Sequence, residues 1–179
     1  TTISGNTAVG YIALTAASTG TGLTAVGYQA GKAMTTKINS TALGYNALST
    51  HNVNYATAIG YNTLAGSSGD GNTALGYNAG VSAGTYTDSI FLGREVANSG
   101  AHSSAVAIGC YALLGASGTT NNIVAIGNNA LAQSSGCSTC IGIGYRALRV
   151  GSSGAAGSIA IGYGALEITT TGSQNVAIG

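Results

Sequence analysis

Two histidines, three cysteines and four acidic residues are the imidazoles, thiols and carboxylates that this 179-residue chain offers for metal binding or acid/base chemistry. His51 and His102 stand about three repeats apart in the periodic pattern described below. That is roughly 15 Å at the spacing of parallel strands, too far to share a metal ion. No two carboxylates sit in a motif that would make them an acid/base pair. The sequence has no phosphate-binding glycine loop, no nucleophile elbow, no zinc-protease helix and no calcium-binding nonapeptide. Cys137-Ser138-Thr139-Cys140 is the one compact thiol motif, and Cys110 lies two repeats away. A lone CxxC could be redox-active or half a zinc site. Without a second pair, it reads as a small disulfide between Cys137 and Cys140 or as two buried thiols. Asn39-Ser40-Thr41 matches a glycosylation acceptor. These residues lead to the expectation of a non-enzyme without a cofactor.

Composition points the same way. Charged residues make up 5% of the chain, glycine reaches 30 residues, and Pro and Trp are absent. Ordinary domains carry about a quarter charged residues. A net charge of +1 gives no electrostatic footprint for nucleic acid and little repulsion between copies. No apolar run approaches the roughly 20 residues of a membrane helix. The chain has no initiator Met and stops at Val176-Ala177-Ile178-Gly179, in mid-motif. It is expected to be a single repetitive unit over 1–179, cut from a longer fibrous protein.

The elements that must position any side chain are set by a repeat. Its glycines are Gly10, Gly27, Gly44, Gly60, Gly76, Gly93, Gly109, Gly127, Gly144, Gly162 and Gly179, at spacings of 16 to 18. One residue earlier stand Val9, Val26, Leu43, Ile59, Leu75, Leu92, Ile108, Ile126, Ile143, Ile161 and Ile178, all large aliphatics. Three residues before the glycine, every row is β-branched, from Thr7, Thr24, Thr41, Thr57 and Thr73 to Ile90, Val106, Val124, Ile141, Ile159 and Val176. These columns share parity, so they share one face of a strand. The other face carries Ala8, Ala25, Ala42, Ala58, Ala74, Phe91, Ala107, Ala125, Gly142, Ala160 and Ala177.

A period this short predicts an all-β parallel solenoid of about eleven coils. Each coil would hold a framework strand, a corner at Ala-Leu pairs such as Ala47-Leu48 and Ala112-Leu113, and a Ser/Thr/Gly/Asn-rich return with a short second strand. Examples of the return are residues 65–71 and 151–154. At about 4.8 Å per coil the rod is roughly 50 Å long. The bulky face is expected to form the core, from Val9 through Ile178. The Ala/Gly face, smooth and too apolar to leave bare, is expected to pack against partner chains.

Two further columns make ladders. The residue after the glycine is Tyr11, Tyr28, Tyr45, Tyr61, Tyr77, Tyr145 or Tyr163 in seven rows. It reads either as stacking that stabilises the coil or as an aromatic strip for carbohydrate. Asn46, Asn62, Asn78 and Asn129 follow, and they read as a side-chain hydrogen-bonded ladder. All charges, such as Lys32, Lys37, Asp70, Arg149 and Glu167, avoid the core columns.

Rows such as Asn72-Thr73-Ala74-Leu75-Gly76-Tyr77-Asn78-Ala79, Val106-Ala107-Ile108-Gly109 and Asn175-Val176-Ala177-Ile178-Gly179 resemble the YadA-like head repeat of trimeric autotransporter adhesins. They are similar also to repeats of phage and viral tail fibres. The resemblance covers essentially the whole chain, although the adhesin repeat is shorter. It implies a left-handed β-roll, three chains side by side, and attachment to a host-surface protein, extracellular matrix or glycan. The location it implies is extracellular, on a cell or virion surface. A self-assembling filament without a specific ligand is the alternative. Ice binding through the Thr column comes lower, because Ile and Val replace Thr in later rows and a core role suits the column better. Nucleic acid and membrane insertion are not expected.

Overall fold

In the computed structural model, which describes residues 4–82, 84–116, 118–151, 155–169 and 172–179, the chain is an all-β parallel solenoid. Residues 152–154 of the expected Ser-rich return lie outside the described residues. Each sequence repeat supplies one three-residue strand: β1 (Thr7–Val9), β2 (Thr24–Val26), β3 (Thr41–Leu43), β4 (Thr57–Ile59), β5 (Thr73–Leu75), β7 (Ile90–Leu92), β9 (Val106–Ile108), β11 (Val124–Ile126), β12 (Ile141–Ile143), β14 (Ile159–Ile161) and β16 (Val176–Ile178). They form one eleven-stranded parallel sheet that delimits about ten full turns. Register is strict, with Thr7 beside Thr24, Thr24 beside Thr41 and Ile141 beside Ile159. Each inner strand bonds both neighbours: Thr24 N–H donates to Ser40 O (2.9 Å) in the next coil, and Gly27 N–H to Val9 O (2.8 Å) in the preceding one.

The expected second strand forms in only part of the rod. Strands β6 (Tyr86–Thr87), β8 (Ala101–Ser103) and β10 (Thr119–Asn121) make a three-stranded sheet, and β13 (Val150–Gly151) pairs with β15 (Ile168–Thr169). Elsewhere among the described residues, turns close the coil. Left-handed backbone recurs in columns that run up the rod. One contains Asn39, Tyr55, Asp88 and Asn122 (φ 49–57°), and another contains Leu14, Leu48, Leu64, Leu113, Leu131 and Leu148 (φ 49–57°). A left-handed leucine costs about 1–2 kcal/mol, but burying its side chain returns about 1.5–3 kcal/mol. All six of these leucines are buried in the core.

The core lies on the opposite side of the strand from the one expected. Ala25, Ala42, Ala58, Ala74, Phe91, Ala107, Ala125 and Ala160 are all 0% exposed. Gly142 is buried with them. Ala8 and Ala177 are less covered, because each terminal coil has a neighbour on one side only. The large aliphatics assigned to the core point outward. Val9, Leu43, Leu75 and Ile178 are exposed, while Val26, Ile59, Leu92, Ile108, Ile126, Ile143 and Ile161 are half-buried. The reason is the width of the coil. The space inside it is already filled by the corner leucines. At Gly142 even an added methyl would stand 3.0 Å from Leu131 Cδ1 and 3.0 Å from Ala147 O. Only Ala or Gly fits a lumen that narrow. Phe91 confirms the rule by its exception. The corner leucine is replaced by Gly80 in the coil before it, and a Cβ on Gly80 would lie 3.1 Å from Phe91 Cδ2. The large ring occupies the volume that the missing leucine leaves. The Ala column is therefore not a surface for partner chains.

Candidate functional site: the outward ladders

With the alanines inside, the outer surface of the framework sheet is built from two in-register columns. The first five rows put Thr7, Thr24, Thr41, Thr57 and Thr73 beside Val9, Val26, Leu43, Ile59 and Leu75. The last six rows are β-branched or leucine throughout, from Ile90 and Leu92 to Val176 and Ile178. No charged side chain stands in either column.

The framework glycine turns the chain at the edge of this face. At Gly60, φ is +134°, and a Cβ there would lie 2.4 Å from Gly76 O in the next coil. The same collision recurs at Gly10, Gly27, Gly44, Gly76, Gly93, Gly109, Gly127, Gly144 and Gly162. Gly179, in the last coil, has the same positive φ with no coil beyond it. Close approach of successive coils therefore demands glycine here.

Next comes the tyrosine column. Tyr11, Tyr28, Tyr45, Tyr61 and Tyr77 stack successively, with centroids 5.5, 4.8, 5.2 and 5.3 Å apart and ring planes within 15° of parallel. Tyr145 and Tyr163 stack at 5.1 Å. Inside each stack the ring faces cover one another, so only edges and hydroxyls meet solvent. A sugar-binding platform needs open ring faces, and the geometry supports mutual stacking instead. Between the two stacks the column holds Arg94, Cys110 and Asn128. Arg94 Nη2 lies 3.4 Å from Cys110 Sγ, with its guanidinium 4.7 Å from the Tyr111 ring centroid.

The asparagine column has a different role from the one expected. Asn46, Asn62, Asn78 and Asn129 all adopt left-handed backbone (φ 51–57°), which Asn tolerates better than most residues. Oδ1 of Asn46 and of Asn78 accepts no hydrogen bond. What ladders here is the backbone, with Asn46 N–H donating to Tyr28 O and Asn62 N–H to Tyr45 O. Side-chain acceptors do ladder inside the coil. Ser40 Oγ accepts from Ala56 N–H, Asn72 Oδ1 from Ser89 N–H, and Ser89 Oγ from Ala105 N–H.

The residues with chemical potential are dispersed. Cys137 and Cys140 are joined in a disulfide, and both are wholly buried. His51 hydrogen-bonds Thr50 at the surface. His102 is buried in a different coil, with Nδ1 2.6 Å from Thr120 Oγ1, Nε2 2.8 Å from Ser99 O and its ring stacked on Tyr86. Burial lowers its pKa from 6.5 to about 4. For Asp70, burial opposes ionisation, but hydrogen bonds from the Asn54 N–H and side chain, together with Lys37, hold its pKa below the usual value. Arg146 and Arg149 both reach Glu167, at 3.4 and 3.0 Å. None of the charged residues is buried. Among the described residues no cluster of His, Cys, Asp and Glu could hold a metal ion, and no helix is long and apolar enough to cross a membrane.

No protein-family model, curated protein or solved structure matches this chain. The class that the fold defines is the repetitive parallel β-solenoid.

Proposed function

We propose that the chain is a fibre module, structural or adhesive. Its copies stand side by side on an extracellular, cell or virion surface and mediate attachment to a host-surface protein or glycan, without catalysis. The observation that carries this reading is the uninterrupted eleven-stranded ladder. It makes a rigid rod that shows the same outward columns at every coil, with variable turns along its length. Lys32, in such a turn, and Arg149, beside Glu167, are the positions at which to probe contact with a receptor. The expected result is that the purified chain binds host cells or immobilised glycans, and that Lys32→Ala or Arg149→Ala weakens binding while circular dichroism is unchanged. Absence of binding to every surface tested would leave the alternative, a filament without a specific ligand.

One observation favours a second reading. The Thr column, expected to be internal, points outward in five successive coils. A regular Thr ladder on a sheet is a surface that ice could match. The later rows count against it, since they replace Thr with Ile or Val. A thermal-hysteresis assay separates the two readings.

A further inference from the structure

We propose that the tyrosine columns are sites of oxidative cross-linking: oxidation of stacked neighbours joins successive coils by carbon–carbon bonds between ring positions ortho to the hydroxyls. The proposal stands on ring geometry and holds whether the rod is adhesive or purely structural. A tyrosine that gives one electron to an oxidant and its phenolic proton to water becomes a phenoxyl radical. The unpaired electron is shared by the oxygen, the ortho carbons and the para carbon, and the para carbon already carries the side-chain methylene. Two such radicals therefore bond through ortho carbons. The ortho hydrogens leave as protons and the phenolic oxygens are reprotonated, so each link removes two hydrogen atoms from the chain. The oxidant is hydrogen peroxide acting through a haem peroxidase, which takes the two electrons one at a time. The peroxide, with two protons, becomes two waters.

Such coupling is ordinarily limited by the encounter of two short-lived radicals, and the fold removes that limit by holding the rings together. Successive centroids stand 4.8–5.5 Å apart from Tyr11 to Tyr77 and 5.1 Å apart between Tyr145 and Tyr163. The ring edges, which carry the ortho carbons, are the part that solvent reaches. Exposure runs from 37% at Tyr145 to 78% at Tyr163. An oxidant therefore has access, and the side chains have room to turn until two edges meet. Arg94, Cys110 and Asn128 interrupt the column. They set Tyr77 and Tyr145 about 19 Å apart at the strand spacing, so links form within each stack and not between them. Two other tyrosines each lack one requirement. Tyr55 is exposed, but Asn39 and Gly71 hold the corresponding positions of the adjacent coils. Tyr86 packs against the rings of Phe91 and His102 but is wholly buried. A link such as Tyr28 to Tyr45 spans one coil. It restricts the unfolded chain as a disulfide would, so an oxidant hardens the rod.

The test treats the 179-residue chain with a haem peroxidase and hydrogen peroxide across a dilution series. Dityrosine fluorescence gives the yield, and mass spectrometry of proteolytic fragments locates the links. The yield per chain should stay constant over a roughly hundredfold dilution, because both partners belong to one molecule. The linked fragments should pair neighbours of one stack, such as Tyr28 with Tyr45, each pair lighter by two hydrogen atoms. Tyr28→Phe/Tyr61→Phe/Tyr145→Phe keeps a stacking ring at every position but leaves no two phenols adjacent. In dilute solution it should lower the yield about tenfold or more. Tyr55→Phe should leave the yield unchanged, and circular dichroism checks that both variants fold. The oxidised native chain should unfold at higher denaturant than the untreated one, and the oxidised triple variant should not. A yield that falls in step with dilution, or a triple variant that couples like the native chain, would overturn the proposal. Loss of the signal in Tyr55→Phe would place the reaction at that turn instead. Links without a shift in the unfolding midpoint would overturn the hardening of the rod.

Discussion

At the scale of single residues, this protein uses polar and titratable groups to finish the coil. His102 is the clearest case. It lies buried in register between Tyr86 and Thr120 of the adjacent coils, stacks on Tyr86, and uses both ring nitrogens in hydrogen bonds inside the fold. Its folded pKa of about 4 lies below the ordinary 6.5. Between those values the unfolded chain holds more protons than the folded one. The contribution of neutral His102 is therefore complete above pH 6.5, falls as pH drops through this window, and levels off below about 4. The loss amounts to about 3 kcal/mol. Urea denaturation at pH 7, 5 and 4 should show this decline, and His102→Gln should flatten it. A slope unchanged in the variant would assign the acid sensitivity to other groups. Asp70 acts in the same direction at lower pH, since its stabilisation is lost as pH falls through its depressed value.

At the scale of the element, a coil is held by columns, and each column tolerates one kind of residue for one reason. The framework glycines are the strictest. Gly60→Ala combines a strained φ of +134° with a Cβ 2.4 Å from Gly76 O, against backbone that cannot move without shifting the next coil. It is expected to cost at least about 3 kcal/mol. Gly118 also has positive φ, at +88°, but nothing lies within 4 Å of an added Cβ. Gly118→Ala should cost only about 1 kcal/mol of backbone strain. Denaturation midpoints of the two variants would check the comparison, and equal losses would mean that coil-to-coil crowding is not what demands glycine. The Gly80–Phe91 exchange shows the same logic inside the lumen, where a vacancy in one column is filled from another.

At the scale of the whole molecule, the strand pairs that pack extensively among the described residues are all neighbours in one sheet. Stability should then be close to a sum of coil and interface contributions. Deletion of residues 45–60 removes one repeat and joins Gly44 to Tyr61 in phase, carrying every column across the junction. The shortened chain is expected to fold, with an unchanged circular dichroism spectrum per residue and slightly reduced stability. Deletion of half that length places strand residues against return residues and should abolish the cooperative transition. If both deletions behaved alike, the coils would not be the units of folding. The same one-dimensional construction repeats the outward columns at every coil.

The sequence by itself determined the repeat, the parallel stacking, the register and the identity of every column, because a 16–18 residue period with Thr-Ala-Val-Gly rows leaves few ways to hydrogen-bond. It also placed the Ala-Leu corners and the tyrosine stack correctly. Parity told which residues share a face, but it could not tell which face is inside. The usual rule that bulky aliphatics are buried assigned Val9 through Ile178 to the core. That rule fails here because a coil this short encloses a lumen already filled by left-handed leucines at the corners. Only the tertiary structure, by setting Leu131 against Gly142 and Gly80 against Phe91, shows that the lumen has room for alanine and little more. The aliphatic ladder is thereby turned outward.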